Sequence, residues 1–246
     1  MCELTEHVEI ICVANNIGRS QNLRQSWGLS FWINTYGHKV LFDTCDNGNV
    51  LLGNIKSLGL SPETLSAIVI SHPHWDHVGG LSTITKLIAP QTPIFVPGSA
   101  TGTLASEILN GVVVGADSPK QVVDDIYVTG EIMGKYSGMP MPEQGMVIKT
   151  SRGLIILAGC SHPGIENIVE KASSLFPDER IHLVAGGFHL LDKTRDEIEE
   201  TIEKLINLGV ESIAPSHCTG ALAIEMMRQR WGEKFVKLAL GDRFMA

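Results

Sequence analysis

The sequence predicts an α/β fold built as one domain, 1–246, from two similar halves, roughly 1–128 and 145–246. Three observations lead there. Apolar runs rich in valine and isoleucine alternate along the chain with stripes of helical spacing. Strand and helix material of similar amount lies on both sides of the middle, with no break in composition. Strand-like runs in both halves end in histidine, most densely at Ser71–Leu81, where His72, His74, Asp76 and His77 fall within six residues.

Composition sets outer bounds. With 246 residues, 43% of them hydrophobic, the chain is long enough for a substantial core. A formal net charge of −8 and a pI near 5.6 give no general attraction to nucleic acid. The five cysteines, Cys2, Cys12, Cys45, Cys160 and Cys218, are odd in number and contain no C-x-x-C pair, which disfavours a secreted disulfide scaffold. Glu3 and Glu6 stand where a signal peptide carries positive charge. No apolar run approaches the roughly 20 residues of a membrane span. The expectation is a cytoplasmic protein with a small-molecule substrate, no nucleic-acid partner and no membrane partner.

Taken in order, Val8–Ala14 reads as a β-branched, apolar strand, and Asn15–Ser20 as a polar turn. Leu29–Thr35 and Lys39–Thr44 form a hairpin across Tyr36-Gly37-His38, with Asp43 ending the second strand beneath the expected metal centre. Apolar residues at 51, 52, 55 and 58 make Asn49–Leu58 a helix, stopped by Gly59. Ser61-Pro62 offers a cap and a first-turn proline, and Ala67–Ile70 is the strand leading into the histidine cluster. A helix through Leu87, a strand at Pro93–Val96, a helix around Leu104–Leu109 and strands at Val112–Val114 and Val122–Val128 follow. Residues 130–145 hold four glycines, two prolines and three methionines without clear periodicity, and read as a lid, a pocket wall or an ordinary mobile loop. Met146–Thr150 and Leu154–Ala158 make a hairpin around Ser151-Arg152-Gly153. Ile165, Ile168, Val169, Ala172 and Leu175 mark an amphipathic helix, and Ile181–Ala185 a strand. Thr194 and Glu197 form a capping box opening a helix that ends at Gly209. A strand at Glu211–Ala214, a helix at Ala221–Arg230 and a last strand at Phe235–Leu240 complete the chain.

The cluster SHPHWDHVGGL carries the chemistry. Residues i and i+2 of an extended segment point to one side, so His72 and His74 can grip one cation, and Pro73 biases His72 toward that geometry. A helix starting near Trp75 would put Asp76 and His77 on its first turn, facing a second cation. Imidazole and carboxylate suit zinc, iron or manganese. Gly79 and Gly80 allow backbone to pass closely behind.

The pattern H-x-H-x-D-H followed by Gly-Gly resembles the signature of the metallo-β-lactamase fold superfamily. The resemblance implies a four-layer αβ/βα sandwich, two mixed sheets flanked by helices, and a site of one or two metals. Three more histidines close strand-like runs: His162 in LAGCSHPGI, His189 in VAGGFHL and His217 in SIAPSHCTG. Their contexts suggest convergence on one cleft at the strand ends. About three protein ligands per zinc leave a position open for water. His72, His74 and His162 can serve one ion, and Asp76, His77 and His217 the other. His7, His38 and His182 read as structural or surface histidines, and Cys45 and Cys218 as structural cysteines. Cys160 stands where many superfamily members carry a metal-bridging aspartate, and reads either as a soft-metal ligand or as a small buried residue.

Together GCSHPGI, GGFHL, SHCTG and the upstream LSFWI and LFDT strands resemble one subgroup over nearly the whole chain. It comprises metal-dependent hydrolases related to 7,8-dihydropterin-6-yl-methyl-4-(β-D-ribofuranosyl)aminobenzene 5′-phosphate synthase. The chain departs from the wider superfamily in three places: Cys45 follows LFDT in place of glycine, a T-P-G-H-T element is missing, and Cys160 replaces the bridging aspartate.

The expected cofactor is one or two divalent ions, zinc ahead of iron or manganese. The expected enzyme is a metal-dependent hydrolase using metal-bound hydroxide on an ester, lactone or phosphoester, since coordination lowers a water's pKa from about 15.7 toward about 7. Asp76 would orient the nucleophile, His189 would protonate the leaving group or support a ligand, and Asp43 would orient a ligating histidine. Two alternatives stand beside it. One is a synthase condensing a dihydropterin diphosphate with an arylamine ribosyl phosphate, which the resemblance alone suggests. The other is a non-enzymatic metal-binding domain. No G-x-G-x-x-G fingerprint supports a redox role.

Overall fold

A computed structural model describes residues 8–18, 20–35 and 37–246. Cys2, Glu3, Glu6 and His7, Arg19 of the expected polar turn and Tyr36 of the expected hairpin turn lie outside the described residues.

The first half runs β1 (Glu9–Ala14), β2 (Ser30–Thr35), β3 (His38–Phe42), α1 (Gly48–Ser57), β4 (Ala67–Val69), α2 (Trp75–Val78), α3 (Leu81–Thr85), β5 (Pro93–Pro97), α4 (Thr101–Ala105) and β6 (Val112–Ala116). Four further strands are β7 (Lys120–Val123), β8 (Ile126–Val128), β9 (Ile132–Tyr136) and β10 (Met139–Glu143). The rest is β11 (Met146–Thr150), β12 (Gly153–Ala158), α5 (Ile165–Leu175), β13 (Ile181–Gly187), α6 (Arg195–Asn207), β14 (Ser212–Ser216), α7 (Ala221–Trp231) and β15 (Arg243–Met245).

One sheet orders its strands β15-β1-β2-β3-β4-β5-β6 and the other β14-β13-β12-β11-β8-β7, while β9 and β10 pair only with each other. Both large sheets are mixed. β3 through β6 run parallel in the first, and β12, β13 and β14 run parallel in the second.

Why the strands read as continuous apolar runs is visible in where alternate residues go. Ile10, Cys12, Phe31, Ile33, Val40 and Phe42 face Ile155, Leu157, Leu183 and Ala185 across the space between the sheets. Their neighbours Ile11, Val13, Trp32 and Leu41 point outward onto Leu51 and Ile55 of α1 and Leu81 and Ile84 of α3. On the other side Ile156, Val184 and Ile213 point onto α5, α6 and α7. Both faces of the central strands are buried, so a period of two in space leaves no period in polarity. The result is a four-layer αβ/βα sandwich. No helix among the described residues is long and apolar enough to cross a membrane.

Several elements differ from the sequence expectation. The helix expected through Leu87 is two short ones, broken at Gly79 and Gly80. There a Cβ would meet the Asp46 carbonyl oxygen at 2.2 Å and the Thr44 carbonyl oxygen at 2.3 Å respectively, so the close backbone passage expected of these glycines is present. Ser61-Pro62 opens a single 3₁₀ turn, and the Ser61 hydroxyl donates to the Glu63 carboxylate instead of capping it. The helix expected around Leu104–Leu109 ends at Ala105, and the Leu109 N–H donates to Thr85. Val122–Val128 splits into β7 and β8 at Asp125, whose φ is +57°. Residues 130–145 are a hairpin, β9 and β10, with one edge toward solvent. Phe235–Leu240 makes no strand. Val236 bonds Ile213 of the second sheet and Leu240 bonds Ile17 near the first, so this stretch spans from one sheet to the other. The last strand is instead β15, antiparallel to β1.

Phe42 is fully buried between the sheets, with ring centroids 6.5 Å from Phe31. Phe42→Ala should cost about 3–5 kcal/mol through lost transfer energy and a residual cavity. In urea the unfolding midpoint should fall with an unchanged slope.

Candidate metal centre

The parallel parts of both sheets end at the same edge of the sandwich. From the first sheet come Asp43, after β3, and Ser71–His77, after β4. From the second come Cys160–His162 after β12, His189 after β13 and His217–Cys218 after β14. These junctions turn sharply. Asp43, Cys45, Ser161, His189 and His217 all hold left-handed backbone, with φ of +58°, +47°, +65°, +49° and +51°. Such conformations cost of order 1–3 kcal/mol each for residues other than glycine, and they re-aim side chains at a strand end.

Asp43 sits at the base, fully buried. Its Oδ1 accepts the Ser71 backbone N–H at 2.7 Å, and its Oδ2 accepts the Ser71 hydroxyl at 2.7 Å and His77 Nδ1 at 2.6 Å. With its proton given to Asp43, Ser71 Oγ accepts from His72 Nδ1 at 2.9 Å. That assigns the His72 proton to Nδ1 and leaves a lone pair on Nε2.

His72 Nε2 lies 3.2 Å from His74 Nδ1, which lies 3.1 Å from His162 Nε2. Three ring nitrogens thus converge chiefly on one another, and His162 Nδ1 has no hydrogen-bond partner. Burial depresses all three rings. His72 falls well below the usual imidazole range and His162 falls to about 3, with neighbouring histidines adding to the effect. Neutral nitrogens turned toward one another in a buried pocket are the arrangement a cation needs. A set of three imidazoles fits a divalent ion such as zinc.

Asp76, His77, Cys160 and His217 form a second group, with ligand atoms all within 4.8 Å of one another. His77 Nε2 lies 3.2 Å from Cys160 Sγ, and the His72 and His77 ring centroids are 4.2 Å apart, so the two groups adjoin. His217 Nδ1 is 3.0 Å from the Asn16 side-chain oxygen, which turns its Nε2 inward. That Nε2 is 3.3 Å from Asp76 Oδ2 but out of line for a hydrogen bond. A carboxylate, two imidazoles and a thiol also fit a divalent cation. Burial alone would lower His77, but the Asp43 carboxylate, aided by Asp76, outweighs it and raises His77 to about 9. Burial opposes ionisation of Asp76, yet His217 and His77 hold its carboxyl well below the usual range. Burial pushes up both thiols of the Cys160–Cys218 pair. Bonds from Cys160 and His189 nevertheless hold Cys218 well below the ordinary thiol range, while Cys160 stays above it.

All six residues expected as ligands therefore lie in two adjacent groups, and His189 lies beside them, its ring centroid 4.4 Å from His162. His38 and His182 lie outside both groups, His38 against Ser66 and His182 against Glu211. The Cys45 thiol is buried and pushed up to about 12. Cys218, expected to be structural, is buried and lines the cavity.

The sequence reading missed four residues. Glu143, fully buried, accepts the backbone N–H groups of Cys160, Ser161 and His162 at 2.9, 2.7 and 2.7 Å. Burial still raises its pKa to about 7. Ser71 links Asp43 to His72, and the Trp27 indole N–H donates to Asp76 Oδ2 at 3.1 Å. Tyr136, carried by β9, sits over His74 at 4.5 Å between ring centroids. A buried acid and a tryptophan on a separate loop carry no local signal, whereas Ser71 adjoins the histidine motif. Above the centre opens a cavity of about 500 Å³ walled by Trp27, Trp75, Tyr136, His189, Leu191 and Lys193, among others.

The model of the metallo-beta-lactamase superfamily matches residues 28–135. The chain is 34% identical over 258 residues to 7,8-dihydropterin-6-methyl-4-(beta-D-ribofuranosyl)-aminobenzene-5'-phosphate synthase of Methanocaldococcus jannaschii, covering 87% of this chain and 88% of that one. It is similar to the crystal structure of Tm1679, described as a metal-dependent hydrolase of the beta-lactamase superfamily, at 26% identity and a TM-score of 0.79, covering 96% and 98% of the two chains. The metallo-beta-lactamase fold protein YhfI of Bacillus subtilis shares the fold at 11% identity and a TM-score of 0.70, covering 98% and 100%.

Asp43→Asn should lower metal affinity by about 10–100-fold, the usual range for losing the partner of a ligating histidine, as read by calorimetric titration. Proton release should separate the two groups. His77, raised to about 9, and the Cys160 thiol, raised by burial, both hold protons at neutral pH that an entering ion must displace, so affinity at their group should keep rising with pH above 7. The three-imidazole group, already neutral, should show no such rise above pH 7. Titration in two buffers of different ionisation enthalpy measures this, and equal proton release from both groups would contradict it.

Proposed function

Because the chain belongs to the metallo-beta-lactamase superfamily, we propose that it is a metal-dependent hydrolase cleaving an ester, lactone or phosphoester. The observation that carries this reading is the pair of adjoining ligand groups, His72/His74/His162 and Asp76/His77/His217 with Cys160, at the floor of an open cavity. Divalent ions, zinc first among the candidates, would supply Lewis-acid polarisation of a substrate oxygen and a lowered pKa for water.

The chain's own residues do the rest. Asp76, ionised and tethered by Trp27, orients a water for attack. His189 faces the cavity from the second sheet. Its contact with Cys218 raises its pKa above the usual imidazole value, which suits it to protonate a leaving oxygen. Glu143 fixes His162 through the backbone, and Asp43 fixes His77 and, through Ser71, His72.

A second reading is a synthase joining a dihydropterin diphosphate to an arylamine ribosyl phosphate. It is favoured by the M. jannaschii relative and by the aromatic rim, where Trp27, Trp75 and Tyr136 are 43%, 62% and 46% exposed beside the cavity and offer faces to flat rings.

The variant carrying His72→Ala with His74→Ala should lose one bound ion per chain and reduce turnover by at least about 100-fold, read by elemental analysis and by hydrolysis of nitrophenyl ester and phosphodiester probes. Undiminished turnover would overturn the metal-dependent reading as a whole. Pyrophosphate released only when both synthase substrates are present, with no hydrolysis of the probes, would select the second reading over the first.

A further inference from the structure

Three donors lie together beyond the six expected ligands. Cys160, His189 and Cys218 follow β12, β13 and β14, which are adjacent and parallel, so register alone brings the three strand ends side by side. Their ligand atoms all lie within 4.8 Å of one another, and all three residues line the cavity. Neither thiol is in a disulfide. Cys218 Sγ accepts the His189 backbone N–H at 3.3 Å, and His189 Nδ1 is buried without a hydrogen-bond partner. The space is kept by Gly187, where a Cβ would stand 2.7 Å from Cys218 Sγ and 2.4 Å from the Gly159 carbonyl oxygen.

From this juxtaposition we propose that Cys160, His189 and Cys218 form a further site, adjoining the other two groups, for a thiophilic d¹⁰ cation such as cadmium or copper(I). Two sulfurs and one imidazole are a softer set than three imidazoles, or than a carboxylate with two imidazoles, and select a different class of ion. Cys160 belongs to this site and to the neighbouring group, and a thiolate sulfur has lone pairs enough to bridge two ions. Binding is not a redox step: each thiol loses its proton to solvent as its sulfur ligates the ion, and no electron moves. With the ion bound, His189 is a ligand and is not available as the acid proposed above, so the site and that role are tested separately.

Cadmium titration of the chelator-treated full chain tests it, read by the ultraviolet cadmium–thiolate charge-transfer band and by elemental analysis. Cys218→Ser keeps the acceptor for the His189 N–H, and should remove about half of the band and one cadmium equivalent per chain. His189→Asn, at a left-handed position that asparagine tolerates, should retain the band and weaken that last ion by about tenfold or more. Near-ultraviolet circular dichroism matching the parent chain establishes that each variant is folded. A Cys218→Ser protein with the parent's band and stoichiometry would overturn the proposal. So would a parent chain, freshly prepared under reducing conditions, whose mass is two hydrogens short because Cys160 and Cys218 have joined.

Discussion

The carboxylate of Asp43 is the constraint on which the first-sheet side of the centre depends. It is buried and takes three hydrogen bonds, from the Ser71 backbone, the Ser71 hydroxyl and His77. A buried carboxylate without partners would be costly, so these contacts are obligatory and fix the local geometry. Because Ser71 spends its proton on Asp43, His72 must donate to Ser71, and both rings are thereby turned the right way. Glu143 does the corresponding work across the cleft, gathering three successive backbone N–H groups so that the turn after β12 presents Cys160 and His162. Two buried acids, one per loop, thus hold the parts that face each other.

The fold suits such an arrangement because its two parallel segments end at one edge. Each strand end delivers one or two side chains, and left-handed backbone at Asp43, Ser161, His189 and His217 turns the chain before it can continue straight. The flanking helices leave that edge open, and what closes over it is lighter: the β9–β10 hairpin with Tyr136, and the loop carrying Trp27. Buried, hydrogen-bonded groups therefore sit below and partly exposed aromatic ones above.

Much of this was legible in the sequence, for a physical reason in each case. Strands buried on both faces read as plain apolar runs, and polar residues ending such runs, His72, His162 and His217, drew attention because a core strand has no other use for them. The hairpin at 130–145 was illegible because Met133, Tyr136 and Met139 are exposed while Glu143 is buried, the reverse of a pattern that a hydrophobic period detects. Phe235–Leu240 had the composition of a strand, but the chain there is occupied in changing sheets. Glu143 could not be found from its neighbours, since the three N–H groups it satisfies lie 17 to 19 residues away. Cys218 was overshadowed by His217 next to it.

The return of β15 to the first sheet has a bearing on how the molecule assembles. Glu9 pairs with Met245, so the ladder at the edge of a sheet built mostly from the first half waits on residues that follow the whole of the second. Closing so long a loop is entropically slow compared with forming neighbouring hairpins. Until it closes, β1 is an apolar strand with one unpaired edge, the kind of template that recruits other chains. During synthesis, then, the vulnerable interval is the time between emergence of β1 and arrival of its last partner, and chaperone demand should concentrate there.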